Sequence, residues 1–185
     1  IFQLMRMCPV HYVGRKSTRI KASFMSYPTA DLCDEFSDEL SVAEPMFRDF
    51  GAKPSFGGPV FTLKLFEDNS LVREALQSPG DGRVLVVDGG GSMRCALVGD
   101  RLAQLAVENN WVGIIVYGCI RDSAVIAKMD IGIKALNTHP LKSIKRGLGD
   151  KDIEVQFAGV TINPGSYLYA DADGVVVSGK PLELS

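Results

Sequence analysis

The sequence predicts an α/β sandwich with a mixed sheet, and three segments carry that prediction. Residues 83–88 ("RVLVVD") and 112–118 ("VGIIVYG") are short apolar runs with the length of buried strands. Residues 99–110, between them, repeat apolar side chains at the spacing of an amphipathic helix. Because several more strand-like segments follow this strand–helix–strand unit, a mixed sheet is favoured over a regularly repeated doubly wound one.

The other elements follow from local patterns. Residues 58–66 alternate in polarity as a strand does, and residues 69–78 show helical spacing until a Pro-Gly pair ends the helix. A short helix is predicted at 28–36, with Thr29 as its N-cap. The remaining predictions are a short helix at 124–130 and strands at 131–138, 153–162, 167–173 and 174–179.

Length and charge limit the organisation of the chain. Its 185 residues, 46% of them hydrophobic, suffice for one buried core, so we expect a single domain over residues 25–185. Residues 1–24 hold five basic side chains and no acid, and we expect a basic extension that is either a transit peptide or an artefact. The other 15 basic and 22 acidic residues give a net charge of −7, which disfavours direct binding of nucleic acid. No apolar run reaches the roughly 18 residues of a membrane span.

Cysteine and histidine usage excludes several kinds of site. The four cysteines form no CxxC pair, so neither a zinc site nor a thioredoxin-like motif is predicted. We expect buried, reduced thiols in an intracellular, cytoplasmic protein, or in an organellar one if residues 1–24 are native. Only two histidines occur, so the sequence disfavours a histidine-based metal site or a catalytic triad.

The most conspicuous motif is the glycine run in "RVLVVDGGGSMRCALVGD", residues 83–100. A dinucleotide loop needs the pattern G-x-G-x-x-G, and Arg94 stands where its third glycine belongs. Ser92 and Arg94 also interrupt the alternating glycines of a methyltransferase loop, and a Walker Gly-Lys-Ser/Thr is absent. The run is therefore predicted to turn the chain tightly rather than to bind a nucleotide.

The residues after the glycine run are more informative. Gly99 and Asp100 begin the predicted helix, and Arg121 and Asp122 follow the next buried strand after 20 intervening residues. Neighbouring parallel strands would bring both pairs to the edge where α/β sheets bind ligands. Arginine can grip a carboxylate with two hydrogen bonds, and aspartate can hold a divalent cation. The residues alone leave two simpler alternatives open, namely Asp100 as a helix cap and Arg121–Asp122 as an ion pair.

Several motifs in order resemble the RraA-like family. They are Asp100-x20-Arg121-Asp122, "VLVVDGGGS" (84–92), "FEDNSLV" (66–72), "HPLK" (139–142) and "YADADGVVVS" (169–178). The resemblance covers about residues 26–180. The family includes regulators of ribonuclease activity A and metal-dependent class II aldolases of the 4-hydroxy-4-methyl-2-oxoglutarate type, and the glycine run explains why some members carry a methyltransferase name.

The resemblance implies a compact α/β/β sandwich of the swivelling-domain type, assembled as a homotrimer or a pair of trimers with sites between subunits. Asp122 would anchor Mg²⁺ or Mn²⁺, and Arg121 would bind the carboxylate of a 2-oxo acid. Backbone N–H groups around Gly99, Arg101 and Leu102 would face the substrate. Asp100 would position a water molecule that carries a proton.

The implied function is that of a lyase acting on 2-oxo acids through a pyruvate enolate. It would decarboxylate oxaloacetate and cleave 4-hydroxy-4-methyl-2-oxoglutarate. The alternative is a non-catalytic regulator that binds a ribonuclease. Two features depart from the dedicated aldolases, which usually carry an acid at the position of Val125 and tend to have a longer C-terminal segment.

Overall fold

A computed structural model describes residues 27–184, so the predicted basic extension of residues 1–24 lies outside the described residues. The helices of this part of the chain are α1 (Thr29–Phe36), α2 (Ser70–Leu76), α3 (Asp100–Glu108) and α4 (Ser123–Ile126). The strands are β1 (Leu40–Val42), β2 (Arg48–Asp49), β3 (Phe56–Lys64), β4 (Val84–Asp88), β5 (Ala96–Val98), β6 (Gly113–Ile120), β7 (Gly132–Thr138), β8 (Asp150–Lys151), β9 (Val155–Phe157), β10 (Val160–Ile162), β11 (Tyr167–Ala170) and β12 (Val175–Ser178).

The main sheet is mixed, as the sequence predicts. Its strand order is β1-β12-β11-β3-β4-β6-β7-β2, and β3, β4, β6 and β7 are parallel neighbours. Strand β3 joins the parallel and antiparallel parts because its first half pairs with β11 and its second half with β4. The short strands β5 and β8 pair with β6 and β3 beside this path.

Both faces of the parallel strands are covered, which explains why their sequences are almost continuously apolar. Leu85 and Val87 of β4 pack towards α2 and α3, whereas Val84 and Val86 pack towards the β9–β10 hairpin. This alternation is the two-residue period of a strand. The three layers are therefore helices, parallel sheet and a second β layer, which confirms the α/β/β prediction.

One buried aromatic ring of β3 depends on two glycines of the neighbouring strands. Phe56 is 2% exposed, and its ring lies over two glycines that pair with each other, Gly113 of β6 and Gly132 of β7. A Cβ atom at Gly132 would come within 1.9 Å of the Phe56 ring, and one at Gly113 within 2.1 Å. The space for the ring exists only because both positions lack a side chain.

Three predictions for local structure are wrong in detail. Residues 153–162 form a hairpin rather than one strand, because Ala158 and Gly159 adopt left-handed φ angles of 51° and 73° and reverse the chain. Thr29 is the first residue of α1 rather than its N-cap, because its N–H and hydroxyl donate to the carboxylate of Asp171. The helix predicted at 124–130 is a single turn, α4.

The thiol prediction holds for two of the three cysteines in the described range. Cys95 and Cys119 are buried, and burial raises the pKa of both thiols, whereas Cys33 is half-buried. None of the helices in residues 27–184 combines the length and the apolar character that a membrane crossing requires.

We predict that Gly132→Ala lowers the free energy of unfolding by roughly 1–3 kcal/mol, because the added methyl group overpacks the site beneath Phe56. Urea denaturation at pH 7 measures the change. Gly179→Ala is the matched control, since no heavy atom lies within 4 Å of a Cβ at Gly179. Equal stability of the two variants would contradict the packing described here.

Candidate functional site

The glycine run forms an excursion between two strands instead of a strand-to-helix turn. The chain leaves β4 at Asp88, passes through Gly89–Gly91 and returns as β5 to the same side of β6. The N–H groups of Gly89 and Gly91 both donate to the carbonyl of Tyr117, and that of Gly90 donates to Asp88. These donors are therefore engaged within the chain, and the run precedes a strand rather than a helix, so the prediction of a tight turn agrees with the structure.

Strand β5, which the sequence analysis missed, positions the candidate site. It pairs in parallel with the end of β6, with Ala96 opposite Cys119 and Val98 opposite Ile120. The N–H of Arg121 donates to the carbonyl of Val98 at 2.9 Å, which extends the pairing by one residue. The chain therefore brings the start of α3 beside the Arg121–Asp122 pair, as the spacing of the motif predicts.

Asp122 occupies an unusual backbone conformation beside the start of α3. Its φ angle of 58° is left-handed, which is uncommon for a residue other than glycine, and Val125 and Ile126 donate N–H groups to its carbonyl. Its carboxylate Oδ2 lies 3.4 Å from the backbone N of Asp100 and 3.4 Å from Nε of Arg121. Uncommon backbone conformations concentrate at functional sites, where surrounding contacts hold them in place.

Gly99 permits this close approach. A Cβ atom at position 99 would come within 2.8 Å of Oδ2 of Asp122 and within 3.2 Å of Nε of Arg121. A side chain there would push the carboxylate and the guanidinium away from the start of α3. Glycine is therefore required for the geometry of these two groups rather than for its backbone freedom, because its φ of −133° is ordinary.

The backbone donors at the start of α3 differ from the arrangement expected for a substrate-binding turn. The N–H of Arg101 donates to the side chain of Asp100 at 2.7 Å, and the N–H of Leu102 donates to the carbonyl of Gly99 at 3.0 Å. The reason is that Asp100, at the first helical position, folds its carboxylate back onto a free N–H of the first turn. Contact between these donors and a substrate would require these bonds to exchange.

These residues line a cavity of about 440 Å³. Five basic side chains and two acidic ones contribute to its wall, so its charge is positive although the chain carries a net charge of −2. They are Arg73, Arg101, Arg121, Lys142 and Lys145, together with Asp100 and Asp122. Sequence reasoning missed Arg73 and Lys145 as site residues, and it noted Lys142 only within the "HPLK" motif.

The segment that carries both lysines is tied to the rest of the site by backbone bonds. The N–H of Ala96 donates to the carbonyl of Leu141, and Ala96 and Lys142 form a parallel β-bridge. The N–H of Ile144 donates to the carbonyl of Glu67 just before α2. Val125, by contrast, is 49% exposed on α4 and does not line the cavity.

A buried carboxylate anchors the end of this segment. Asp68 is 1% exposed and accepts hydrogen bonds from the N–H groups of Ser70, Arg146 and Leu148. Burial alone would raise the pKa of Asp68, but the hydrogen bonds from Ser70, Leu148 and Arg146 outweigh it and lower the pKa from 3.8 to about 2. Asp68 is therefore ionised at neutral pH and holds the segment against the start of α2.

The donor set fits a hard divalent cation. Within residues 27–184, no three His, Cys, Asp or Glu side chains are arranged to hold a metal ion together. Mg²⁺ needs no such cluster, because it is commonly bound by one or two carboxylates together with water and substrate oxygens. Asp122, with its side chain 37% exposed and Asp100 beside it, offers carboxylates of this kind in the cavity.

Comparison with known proteins places the chain among close relatives. The RraA-like family, described as Aldolase/RraA, matches residues 29–177. A protein of Alkalilimnicola ehrlichii named "Putative 4-hydroxy-4-methyl-2-oxoglutarate aldolase" is 65% identical over 158 residues, which is 85% of this chain and 98% of that protein. A protein of Dechloromonas aromatica with the same name is 61% identical, over 85% of this chain and 99% of its own length.

Two solved structures share the fold. The RNA-processing inhibitor RraA of Thermus thermophilis superimposes with a TM-score of 0.83 at 42% identity, covering 86% of this chain and 96% of its own. A protein of Geobacillus kaustophilus titled S-adenosylmethionine:2-dimethylmenaquinone methyltransferase superimposes with a TM-score of 0.82 at 56% identity, covering 84% and 97%. The glycine run of the present chain gives no support to a methyltransferase activity, because its donors are engaged by Tyr117 and Asp88.

We predict that Asp68→Asn lowers the free energy of unfolding at pH 7 by about 2 kcal/mol, the equivalent of lowering a pKa from 3.8 to about 2. A lowered carboxyl pKa stabilises the fold above the unfolded-state pKa, and this contribution disappears as the pH falls from 3.8 towards 2. Denaturation curves recorded at pH 7 and below pH 4 measure this effect. The difference in the free energy of unfolding between parent and variant should be smaller at the lower pH.

The exposed Asp38, changed to Asn, serves as the control and should leave the stability unchanged at either pH. A difference between parent and Asp68→Asn that is independent of pH would mean that the charge of Asp68 does not stabilise the segment.

Proposed function

Because the chain belongs to the RraA-like family of Aldolase/RraA proteins, we propose that it is a divalent-metal-dependent carbon–carbon lyase that acts on 2-oxo acids. Its proposed reactions are aldol cleavage of 4-hydroxy-4-methyl-2-oxoglutarate and decarboxylation of oxaloacetate. One observation carries the proposal: Arg121, Asp122 and the start of α3 lie side by side in a positively charged cavity. The names of the close relatives support the same class of reaction.

The two reactions share one chemical demand. Each breaks the bond between C3 and C4 of a 2-oxo acid, and the electron pair of that bond remains on C3 as pyruvate enolate. The second fragment is CO₂ in the decarboxylation. In the aldol cleavage it is a second pyruvate, which forms as the 4-hydroxyl group gives up its proton and becomes a keto group. A proton is then delivered to C3. A site that stabilises the enolate, accepts the hydroxyl proton of the aldol substrate and delivers a proton to C3 can therefore perform both reactions.

The side chains of the cavity suit these tasks. Arg121 offers a planar pair of donors to the carboxylate and keto oxygens of the 2-oxo acid. Asp122 holds the divalent cation, whose positive charge stabilises the enolate when it is bound. Asp100 positions the water molecule that delivers the proton to C3. Backbone N–H groups of Gly99, Arg101 and Leu102 contact the substrate, those of Arg101 and Leu102 after releasing their present acceptors.

We further propose that the protein is a homotrimer, or a pair of trimers, in which a second subunit closes the cavity. Large apolar side chains surround the segment that carries Lys142 and Lys145, where Leu141, Ile144 and Leu148 are each at least 60% exposed. Phe66, 58% exposed, lies on the neighbouring loop before α2. A group of exposed apolar side chains beside a polar cavity is typical of a protein–protein interface.

A regulator that binds a ribonuclease is the alternative, and the solved relative titled as an RNA-processing inhibitor favours it. Such a regulator has no need of a carboxylate held in a left-handed conformation beside an arginine. Release of pyruvate from oxaloacetate, tested with and without EDTA, distinguishes the two functions. Absence of metal-dependent pyruvate release would support the regulator.

We predict that Asp122→Asn abolishes metal-dependent pyruvate formation and leaves the oligomer intact, because the amide keeps the shape but loses the charge that holds the cation. Arg121→Lys should lower kcat/KM roughly 10- to 100-fold, since a point charge replaces a two-bond grip on a carboxylate. Coupled detection of pyruvate measures both effects. Asp130→Asn, at an exposed ion pair outside the cavity, should retain full activity.

If Arg121 and Asp122 form only a structural ion pair, the outcome differs. Both variants would then lose thermal stability in parallel, and the activity of the parent would be absent or insensitive to EDTA. That result would exclude the proposed lyase site.

We predict that Ile144→Glu dissociates the oligomer, because it places a charge among apolar side chains that another subunit covers. Sedimentation velocity should give about 60 kDa or a multiple of it for the parent and about 20 kDa for the variant, for a chain of 20.0 kDa. Leu184→Glu, another exposed apolar position, is the control and should sediment as the parent does. A parent that sediments as a monomer would contradict the proposal.

A further inference from the structure

We propose that a groove beside the second β layer, here called the acidic groove, receives residues 141–148 of a second copy of this chain. This inference rests on the oligomer in the proposed function, because that proposal does not say which surface covers the exposed apolar side chains of 141–148. The acidic groove lies between the connection from β1 to β2 and the turn from β11 to β12, and it encloses a volume of about 390 Å³.

The acidic groove combines apolar walls with free carboxylates. Its apolar lining residues are Val42, Ala43, Pro45, Phe47, Ala172 and Val175. Glu44 and Asp173 also line it, both are exposed, and neither forms an ion pair within residues 27–184. Lys134 contributes to the wall as well, but it is buried and paired with Asp49 at 2.9 Å. The accessible charge of the groove is therefore negative.

Residues 141–148 carry the opposite charge and a similar apolar character. Three apolar side chains of this segment are each at least 60% exposed, namely Leu141, Ile144 and Leu148. Three exposed basic side chains lie among them, namely Lys142, Lys145 and Arg146. Neither Lys142 nor Lys145 forms an ion pair in the part of the chain that the structure describes. Exposed apolar side chains with unpaired cations among them match an apolar groove that carries carboxylates.

Charge disfavours contact between residues 141–148 and the same segment of a second copy. In a twofold dimer the same surface lies on both sides of the contact, so basic side chains would face basic side chains. Like charges brought together at an interface repel each other. Contact with the acidic groove instead brings opposite charges together. A contact between two different surfaces builds a closed ring when the rotation from one subunit to the next completes a full turn.

The two surfaces belong to different layers of the molecule. Ala43 and Val175 of the acidic groove pack in the core between the main sheet and the β9–β10 hairpin. Residues 141–148 are instead held by Asp68 at the start of α2, whose buried side chains pack on the helical face of the sheet. One copy can therefore offer its segment to one neighbour and its groove to another, as a ring requires.

Charge reversal on both surfaces tests this contact. The segment variant carries Lys142→Glu and Lys145→Glu, and the groove variant carries Glu44→Lys and Asp173→Lys. A combined variant carries all four substitutions in one chain. The four side chains are exposed, so the fold should be retained, and circular dichroism spectra check this. Sedimentation velocity at equal protein concentrations measures the mass of each variant and of the parent.

We expect the segment variant and the groove variant each to sediment at about 20 kDa, the mass of one chain, because like charges then face each other across the contact. The combined variant should recover the mass of the parent, because opposite charges meet again with their positions exchanged. A general loss of stability would not be reversed by two further substitutions. Glu35→Lys with Asp38→Lys is the matched control, because both acids are exposed outside the groove, and it should sediment as the parent does.

Three other outcomes would overturn the inference. A groove variant with the mass of the parent would mean that another surface covers residues 141–148 and that the acidic groove faces a different partner, while the proposed trimer would stand. A combined variant that stays at the mass of one chain would mean that the two surfaces do not meet. A parent that sediments as one chain would overturn the proposed oligomer together with this inference. Metal-dependent pyruvate release by the parent tests the lyase separately, so the failure of either proposal is recognised by itself.

Discussion

The candidate site depends on the parallel pairing of β6 with two successive strands on one of its sides. β4 pairs with Gly113–Tyr117, and β5 then takes its place beside Cys119–Ile120. The glycine run spans the gap, and the carbonyl of Tyr117 closes it by accepting two N–H groups. Because α3 begins two residues after β5, this register alone brings its first turn beside the residues that follow β6. A shift of β5 along β6 would separate Asp100 from Asp122.

The electrostatics of the cavity oppose those of the chain as a whole. The cavity wall carries five basic and two acidic side chains, whereas the complete chain has a net charge of −2. A local positive potential in a concave site attracts anionic substrates. The same arrangement favours small organic acids as ligands over nucleic acid, which needs a broad basic surface.

Rigidity in the site comes from polar side chains on the loop before α2. Asp68 fixes the segment after β7, and Asn69 next to it donates from Nδ2 to the carbonyl of Leu97 in β5. The loop before α2 therefore connects the segment that carries the lysines with the strand that leads to Gly99. The side chains of Ser92 and Arg94 both donate hydrogen bonds to Glu67. The residues that follow the glycine run are therefore attached to the same loop. The glycine run therefore helps to hold the site in place through Glu67, although its glycines do not line the cavity.

The sequence by itself determined the helices and strands with a clear apolar period, such as β4, α3, β6 and β7, because such patterns depend only on which face of an element is buried. It also determined that Arg121 and Asp122 follow a strand and that Asp100 begins a helix. The tertiary structure alone decided the elements with no local signal: β5, only three residues long, and the β9–β10 hairpin, whose turn uses Ala158 in a left-handed conformation. It alone brought Arg73, Lys142 and Lys145 to the cavity, because contacts between distant segments, including the buried charge of Asp68, place them there. Such contacts leave no spacing in the sequence that could reveal them.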